Sequence, residues 1–258
     1  MTVRRLAWGW LVTMLGIALL APWLSPNPPN QSLFAPLAPP RSGLLLGADA
    51  LGRDFLVRMM YGARLSLLLA GLAAAVTLIV GGTAGFSAAI VGGRYELTIN
   101  WLSNVLLAIP GLLLAMLFVA AWGPGIAAVV LAVGIGFAPS FGRVTRTIAR
   151  RLLTEGYVMA ARASGGGRLW IASRHLLPNS LPELASYAGT YLAWTFLAVT
   201  TLTFLGLAGD PSIPEWGALL DSSRAHLLSA PRLAAAPALA ISLTVLAVHA
   251  VVRKESLP

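Results

Sequence analysis

Ser66-Leu-Leu-Leu-Ala-Gly-Leu-Ala-Ala-Ala-Val-Thr-Leu-Ile-Val-Gly-Gly-Thr-Ala-Gly-Phe-Ser-Ala-Ala-Ile-Val91 runs without a single charge. A helix over these residues reaches roughly 39 Å at about 1.5 Å per residue, more than the ~30 Å of bilayer hydrocarbon. Working outward, five further apolar stretches offer themselves as spans, the shorter of them needing a few flanking residues to cross: Leu6–Leu24, Trp101–Trp122, Ile126–Phe141, Leu181–Leu207 and Leu233–Val252. The expectation is an all-α integral membrane protein of six transmembrane helices. The whole chain agrees: 57% of its 258 residues are hydrophobic and 10% charged, where soluble domains carry about 25% charged residues.

Two chemistries are excluded at once. There is no cysteine, so no disulfide forms. The single lysine, Lys254, has no glycine-rich loop before it, so the chain carries no Walker A phosphate cradle. The first apolar run follows Arg4 and Arg5 as a secretory signal would, but Pro22 and Trp23 stand where a small-residue cleavage site belongs. It is read as an uncleaved anchor.

The net charge of +9 invites a nucleic-acid reading, which requires the arginines on one soluble face. They lie instead between apolar segments. With the amino terminus in the cytoplasm, Arg4, Arg5, Arg94, Arg143, Arg146, Arg150, Arg151, Arg162, Arg168, Arg174, Arg253 and Lys254 fall inside, twelve of the 18 basic residues. The positive-inside rule then predicts an inner-membrane, multi-pass protein with both termini cytoplasmic. Lipid headgroups, not nucleic acid, are the expected partners of most of these arginines.

Three regions are expected: an anchor helix and outer loop over 1–65, a five-helix core over 66–252 with an inner loop at 143–180, and a short cytoplasmic tail over 253–258. The outer loop opens on Pro26, Pro28, Pro29, Pro36, Pro39 and Pro40, which favour extended backbone. A second outer connection, Ala208–Arg232, carries Pro211, Pro214 and Trp216.

The inner loop is the most informative. Over Glu155 to Pro178 it has helical composition, with Tyr157, Val158, Ala161 and Leu153 spaced to share a face, until Gly165, Gly166 and Gly167 stop the helix. A second segment then ends at Pro178. A short helix, too polar to span and sharply punctuated, suits docking into a groove on a partner.

This stretch resembles the coupling loop of the membrane subunits of ATP-binding-cassette importers: Glu-Ala-Ala, three residues, Gly, nine residues, Ile-x-Leu-Pro. Here the pattern falls on Met159-Ala160-Ala161, Gly165 and His175-Leu176-Leu177-Pro178, with both intervals kept. Met159 replaces the usual Glu and His175 the usual Ile, so no charge at 159 is essential. The resemblance implies that Glu155, Tyr157, Met159, Ala160, Ala161, Arg162, Gly165 and Pro178 engage an ATPase. Gly47-Ala48-Asp49-Ala50-Leu51-Gly52-Arg53-Asp54, Arg58 and Tyr61-Gly62-Ala63-Arg64-Leu65-Ser66 are similar to the dipeptide, oligopeptide and nickel permeases of that family, as are Phe204-Leu205-Gly206-Leu207 and Pro214-x-Trp216-Gly217. The match is to their shorter, C-type subunit. The family's tail, Gly-Asp-x-Leu-Arg-Asp-x-Leu-Asp-Pro, has no counterpart after Arg253, so its contribution is expected to be absent or supplied elsewhere.

The resemblance implies a type I importer permease fold with a coupling helix. Its partners are then a homologous permease in a heterodimer, two cytoplasmic ATPases, an extracytoplasmic substrate-binding protein and the bilayer. The chain itself holds no cofactor; ATP and magnesium belong to the ATPases. Peptide cargo is the first choice and nickel or a metal chelate the second.

Asp49, Arg53, Asp54 and Arg58 admit two roles. An Asp54–Arg58 pair one helical turn apart frames an outer helix, or the group receives a binding protein or lines an outer gate. His175, His226 and His249 lie on an inner loop, an outer loop and a span, so they do not gather around one metal ion. Glycines at 81, 82, 85, 134 and 136 suit close packing of spans, and Pro110 and Pro139 suit kinks. No proposed span has a charge near its middle, which argues against a proton relay or a passive ion channel. The rival class, an integral-membrane enzyme, needs a catalytic cluster, for which only Asp49 with Asp54 or Asp210 with Glu215 offer themselves.

Overall fold

The computed structural model describes residues 2–25, 27–210 and 212–252. The expected tail 253–258, with Arg253 and Lys254, and the loop prolines Pro26 and Pro211 lie outside the described residues. Among the described residues the regular structure is helical, with only isolated β-bridges such as Ser32 to Arg53 in the first long loop.

Helix α1 covers Thr2–Leu24. Helix α2, Phe55–Val76, passes through a π-turn at Thr77–Gly81 into α3, Gly82–Val91, giving one apolar path of 37 residues. It starts well before the expected Ser66 because Asp54 caps it: Asp54 Oδ1 accepts from the Leu56 and Val57 amides at 2.9 and 3.3 Å. Arg58 and Arg64 therefore sit inside the helix, and the boundary expected at 65 moves to Phe55.

The expected span Trp101–Trp122 is two helices, α4 (Gly93–Ala108) and α5 (Gly111–Trp122), bent by 94°. Pro110 disfavours helical backbone in the residue before it, and Ile109 is extended with φ −82° and ψ 123°. What the sequence offered as a kink is a full break. Pro139, by contrast, lies within the unbroken α6, Ile126–Leu153. That helix continues twelve residues beyond the expected Phe141, so the inner loop is shorter than 143–180. Then come α7 (Gly156–Ala163), α8 (Arg168–Ile171), a second π-turn at Ala172–Leu176, and α9 (Leu177–Phe204). Pro178 stands at the start of α9 directly after the π-turn, within a continuous helical run, rather than ending a separate segment. Helices α10 (Trp216–Ser222) and α11 (Arg232–Val252) complete the fold.

Four helical stretches are each long and apolar enough to span, namely Val3–Leu24, Phe55–Val91, Ile126–Leu153 and Arg232–Val252, and the bent α4–α5 pair is a fifth candidate. Helix α9, where the expected fifth span lies, has 28 residues but carries Thr190, Thr195, Thr200, Thr201 and Thr203 and is less apolar than these.

Helix α6 is the axis. Gly81 and Gly85 let the π-turn and α3 lie directly on it: a Cβ at Gly85 would stand 2.1 Å from the Gly142 carbonyl oxygen, and one at Gly81 2.2 Å from that of Ala138. Thr77 Oγ1 donates to the Gly134 carbonyl at 3.0 Å across the same contact. Small surfaces are what let spans approach in a medium that gives helices no hydrophobic reason to associate. Toward its start α6 packs Val129, Val130 and Val133 against α2, α5 and α9. At its far end Ile148 and Leu152 carry α7.

Candidate coupling helix and the opposite latch

Helix α7 is punctuated from its own sequence. Glu155 precedes it in extended backbone, φ −69° and ψ 144°. At its end the Gly166 amide donates to the Ala161 carbonyl and the Gly165 amide to that of Arg162, both at 2.9 Å. This is the paired closure of a Schellman stop, and it requires Gly165 at φ +86°. The reversal brings α8 and the second π-turn back alongside.

Val158 is fully buried, with Ile171 and Leu176, on Ile148 and Leu152 of α6. Ala161, Leu153, Phe86 and Ile90 of α3, and Leu184 of α9 close this cluster. The expected shared face is therefore corrected at one position. Val158 and Ala161 point inward, while Tyr157, one residue and about 100° away, points outward. Tyr157 and Met159 of α7 and Leu169 and Trp170 of α8 are exposed, so the α7–α8 corner shows apolar side chains outward on a firmly packed base. Glu155, Ala160, Arg162 and Gly165 are exposed with it. His175 stands against Trp170 at 4.8 Å and Tyr157 at 6.1 Å, ring to ring.

Charges bind this end of the bundle together. Glu96 on α4 accepts from Arg146 at 3.1 Å and also from Arg150, both on α6, and Arg151 pairs with Glu183 on α9. The base on which α7 sits is thus tied to α3, α4, α6 and α9 together. Above the break between α4 and α5 lies a cavity of about 660 Å³ bordered by Leu106, Pro110, Phe137, Ser140, Trp194 and Thr201, with no charged residue in its wall. Phe137, Tyr191 and Trp194 cluster there at 5.1 to 6.3 Å.

At the opposite end the structure rearranges the expected acid–base group. Asp54 is spent as the α2 cap, and the ion partner of Arg58 is Asp49, at 3.5 Å. Asp49 also takes the Arg53 guanidinium at 2.7 Å, and its Oδ1 accepts from the Leu51 and Arg53 amides. Arg58, 1% exposed, reaches Asn30 and the Ser212 carbonyl, so it staples the first long loop to the second. Asp49, Arg53 and Arg58 are all buried and present no charged surface.

Sequence reasoning weighed Glu215 only as a catalytic acid and missed its structural role. It caps α10, accepting from the Gly217 and Ala218 amides at 2.7 and 3.1 Å. It also accepts from Ser66 of α2 and Thr203 of α9. Burial lifts its carboxyl above the usual carboxylate range despite these donors. The available signal was an acid immediately before Trp216-Gly217, a helix-start pattern. Asp210, once weighed as its partner in an acid pair, is exposed and accepts from the Ser212 amide instead. Arg232 was missed as well; it donates to the Leu37, Ala38 and Leu46 carbonyls and holds the first loop over α11.

Residues 81–253 match the family described as the binding-protein-dependent transport system inner membrane component. The di/tripeptide transport system permease protein DppC of Pseudomonas aeruginosa is 38% identical over 94% of this chain and 84% of that protein. The glutathione transport system permease protein GsiD of Pectobacterium atrosepticum is 39% identical over 81% of this chain and 69% of its own length. GsiD of Escherichia coli O6:K15:H31 is 34% identical over 92% and 79%.

Proposed function

Since this chain belongs to the binding-protein-dependent transport family of inner-membrane components, we propose that it is the permease half of an ATP-driven importer that carries di- and oligopeptides inward. It is a transport subunit of the inner membrane, not an enzyme. Peptide cargo is favoured because the named cargoes of its relatives, di- and tripeptides and glutathione, are all peptides.

The observation that carries the reading is the seating of α7. Its outer face exposes Tyr157 and Met159 beside Glu155 and Arg162, while its inner face is locked through Val158 to α3, α6 and α9. A groove on an ATPase that grips Tyr157, Met159 and their neighbours moves the bundle through that cluster. In this account a homologous permease completes the pathway and two cytoplasmic ATPases hold ATP and magnesium. An extracytoplasmic binding protein delivers cargo at the α10 end. Both termini face the cytoplasm. When ATP draws the ATPases together, α6 and α9 tilt and the uncharged cavity beside Pro110 changes the side to which it opens. Weak, apolar walls let cargo leave.

The test is uptake of a labelled dipeptide by proteoliposomes holding the chain and its partners. Uptake should require ATP, both ATPases and the binding protein. Uptake by this chain alone contradicts the reading. Cysteines placed at Ser42 and Ser164 of the cysteine-free chain should be labelled from opposite sides; same-side labelling contradicts the orientation.

A further inference from the structure

A second cavity, of about 730 Å³, lies between the end of α3, the last turn of α6 and the α7–α8 corner. Its wall has two characters. Arg150, Arg162 and Arg168 border it, and so do Ile90, Val91 and Leu153. Glu96 engages Arg150 and Arg146. Among the described residues Arg162 and Arg168 have no carboxylate partner. The apolar path Phe55–Val91 stops at this cavity, and Gly92, at φ +69°, turns the chain beside the Arg150 guanidinium. The site therefore stands where the apolar path ends and charged side chains begin.

We propose that this cavity holds an anionic phospholipid of the inner leaflet, its phosphate among Arg150, Arg162 and Arg168 and its first acyl carbons along Ile90, Val91 and Leu153. An anion alone leaves the apolar half of the wall unused, and a lipid of no net charge, whose phosphate is offset by its own cation, leaves Arg162 and Arg168 without a net counter-charge. A lipid with a charged phosphate and a hydrocarbon chain satisfies both. Guanidinium groups suit phosphate oxygens because their fork of donors matches them. Because the lipid touches both α7 and the end of α3, its presence stiffens the corner through which α7 drives the bundle. The inference rests on the α7 end being cytoplasmic, but its test needs no transport and no sidedness, so the two stand or fall separately.

The test is native mass spectrometry of the full chain, assembled with its partner subunits, from micelles containing equal phosphatidylglycerol and phosphatidylcholine. The wild type should retain phosphatidylglycerol preferentially. In the Arg162→Gln, Arg168→Gln double variant that preference should fall about thirty-fold, roughly fivefold per arginine. The corresponding double lysine variant should keep most of it and serves as the control for folding. Equal retention of the two lipids by the wild type overturns the proposal. So does inorganic phosphate that binds without lipid and displaces phosphatidylglycerol, which assigns the site to a soluble anion. An unchanged lipid preference in the glutamine variant, with loss of the ATPases, also overturns it and gives these arginines to the ATPase contact.

Discussion

Ser66 Oγ donates to Glu215 Oε1 at 2.6 Å, joining the second helix to the start of α10 across 149 positions of chain. The same serine accepts from the Trp216 amide at 3.0 Å, and Thr203 of α9 donates to the other carboxylate oxygen. One buried carboxylate therefore fixes α2, α9 and α10 relative to each other at the end opposite α7.

Glu215→Ala removes the acceptor from two hydroxyls and two amides. It should lower stability by about 3 kcal/mol, from the lost cap and the buried donors left unpaired. Thermal unfolding in detergent reads the loss, and Glu215→Gln should cost clearly less.

The same residue sets a pH dependence. Its folded carboxyl is lifted above the usual range by burial, so between the ordinary value and the lifted one the folded state binds the proton more than the unfolded state does. Its contribution to stability is therefore greatest at acid pH, falls as pH rises through that window and is flat above it. The difference in thermal midpoint between wild type and Glu215→Gln should change in that direction between about pH 4 and pH 8. A difference independent of pH contradicts the assignment.

At the loop staple, Asp49→Ala leaves Arg53 and Arg58 buried and facing each other, and should cost about 3–5 kcal/mol. Asp54→Ala removes only a helix cap, at about 1 kcal/mol. Denaturation of the two variants separates the observed Asp49 pairing from an Asp54–Arg58 pair, which predicts the reverse order.

Along α6, Gly85→Ala drives a methyl into the Gly142 carbonyl and should destabilise by about 2–3 kcal/mol. Gly71→Ala meets nothing within 4 Å and should be neutral or stabilising by up to about 1 kcal/mol. Folded yield and thermal midpoint compare them.

The sequence made the membrane class and the helix-stop at Gly165 legible, because each rests on local composition: uncharged runs for the helices, glycine for the left-handed stop. The first three helical starts and ends were less legible. Asp54 reads equally well as a salt-bridge acid or a cap, and only the backbone around Leu56 and Val57 decides. Pro110 and Pro139 look alike in one dimension. The neighbours of Pro110 leave Ile109 extended, while α6 runs unbroken through Pro139. Glu215 was hidden because its partners, Ser66 and Thr203, lie on helices far away in sequence, and a carboxylate in a proline-flanked loop looks exposed. The direction of Tyr157 was misassigned because positions three and four apart on so short a helix fit more than one face, and the packing of Val158 chooses between them.

The claim on which the account turns is that α7 carries ATPase motion into the bundle through a rigid corner at Gly165. Replacing Gly165 with valine forces an L side chain into a left-handed conformation, costing roughly 1–2 kcal/mol, while open space around the position leaves the fold in place. The decisive measurement is dipeptide taken up per ATP hydrolysed in proteoliposomes containing the assembled Gly165→Val complex. We predict ATP hydrolysis near the wild-type rate with uptake per ATP reduced about tenfold, as a strain of that size displaces the corner. An unchanged ratio of uptake to hydrolysis in a folded, assembled variant would contradict the account.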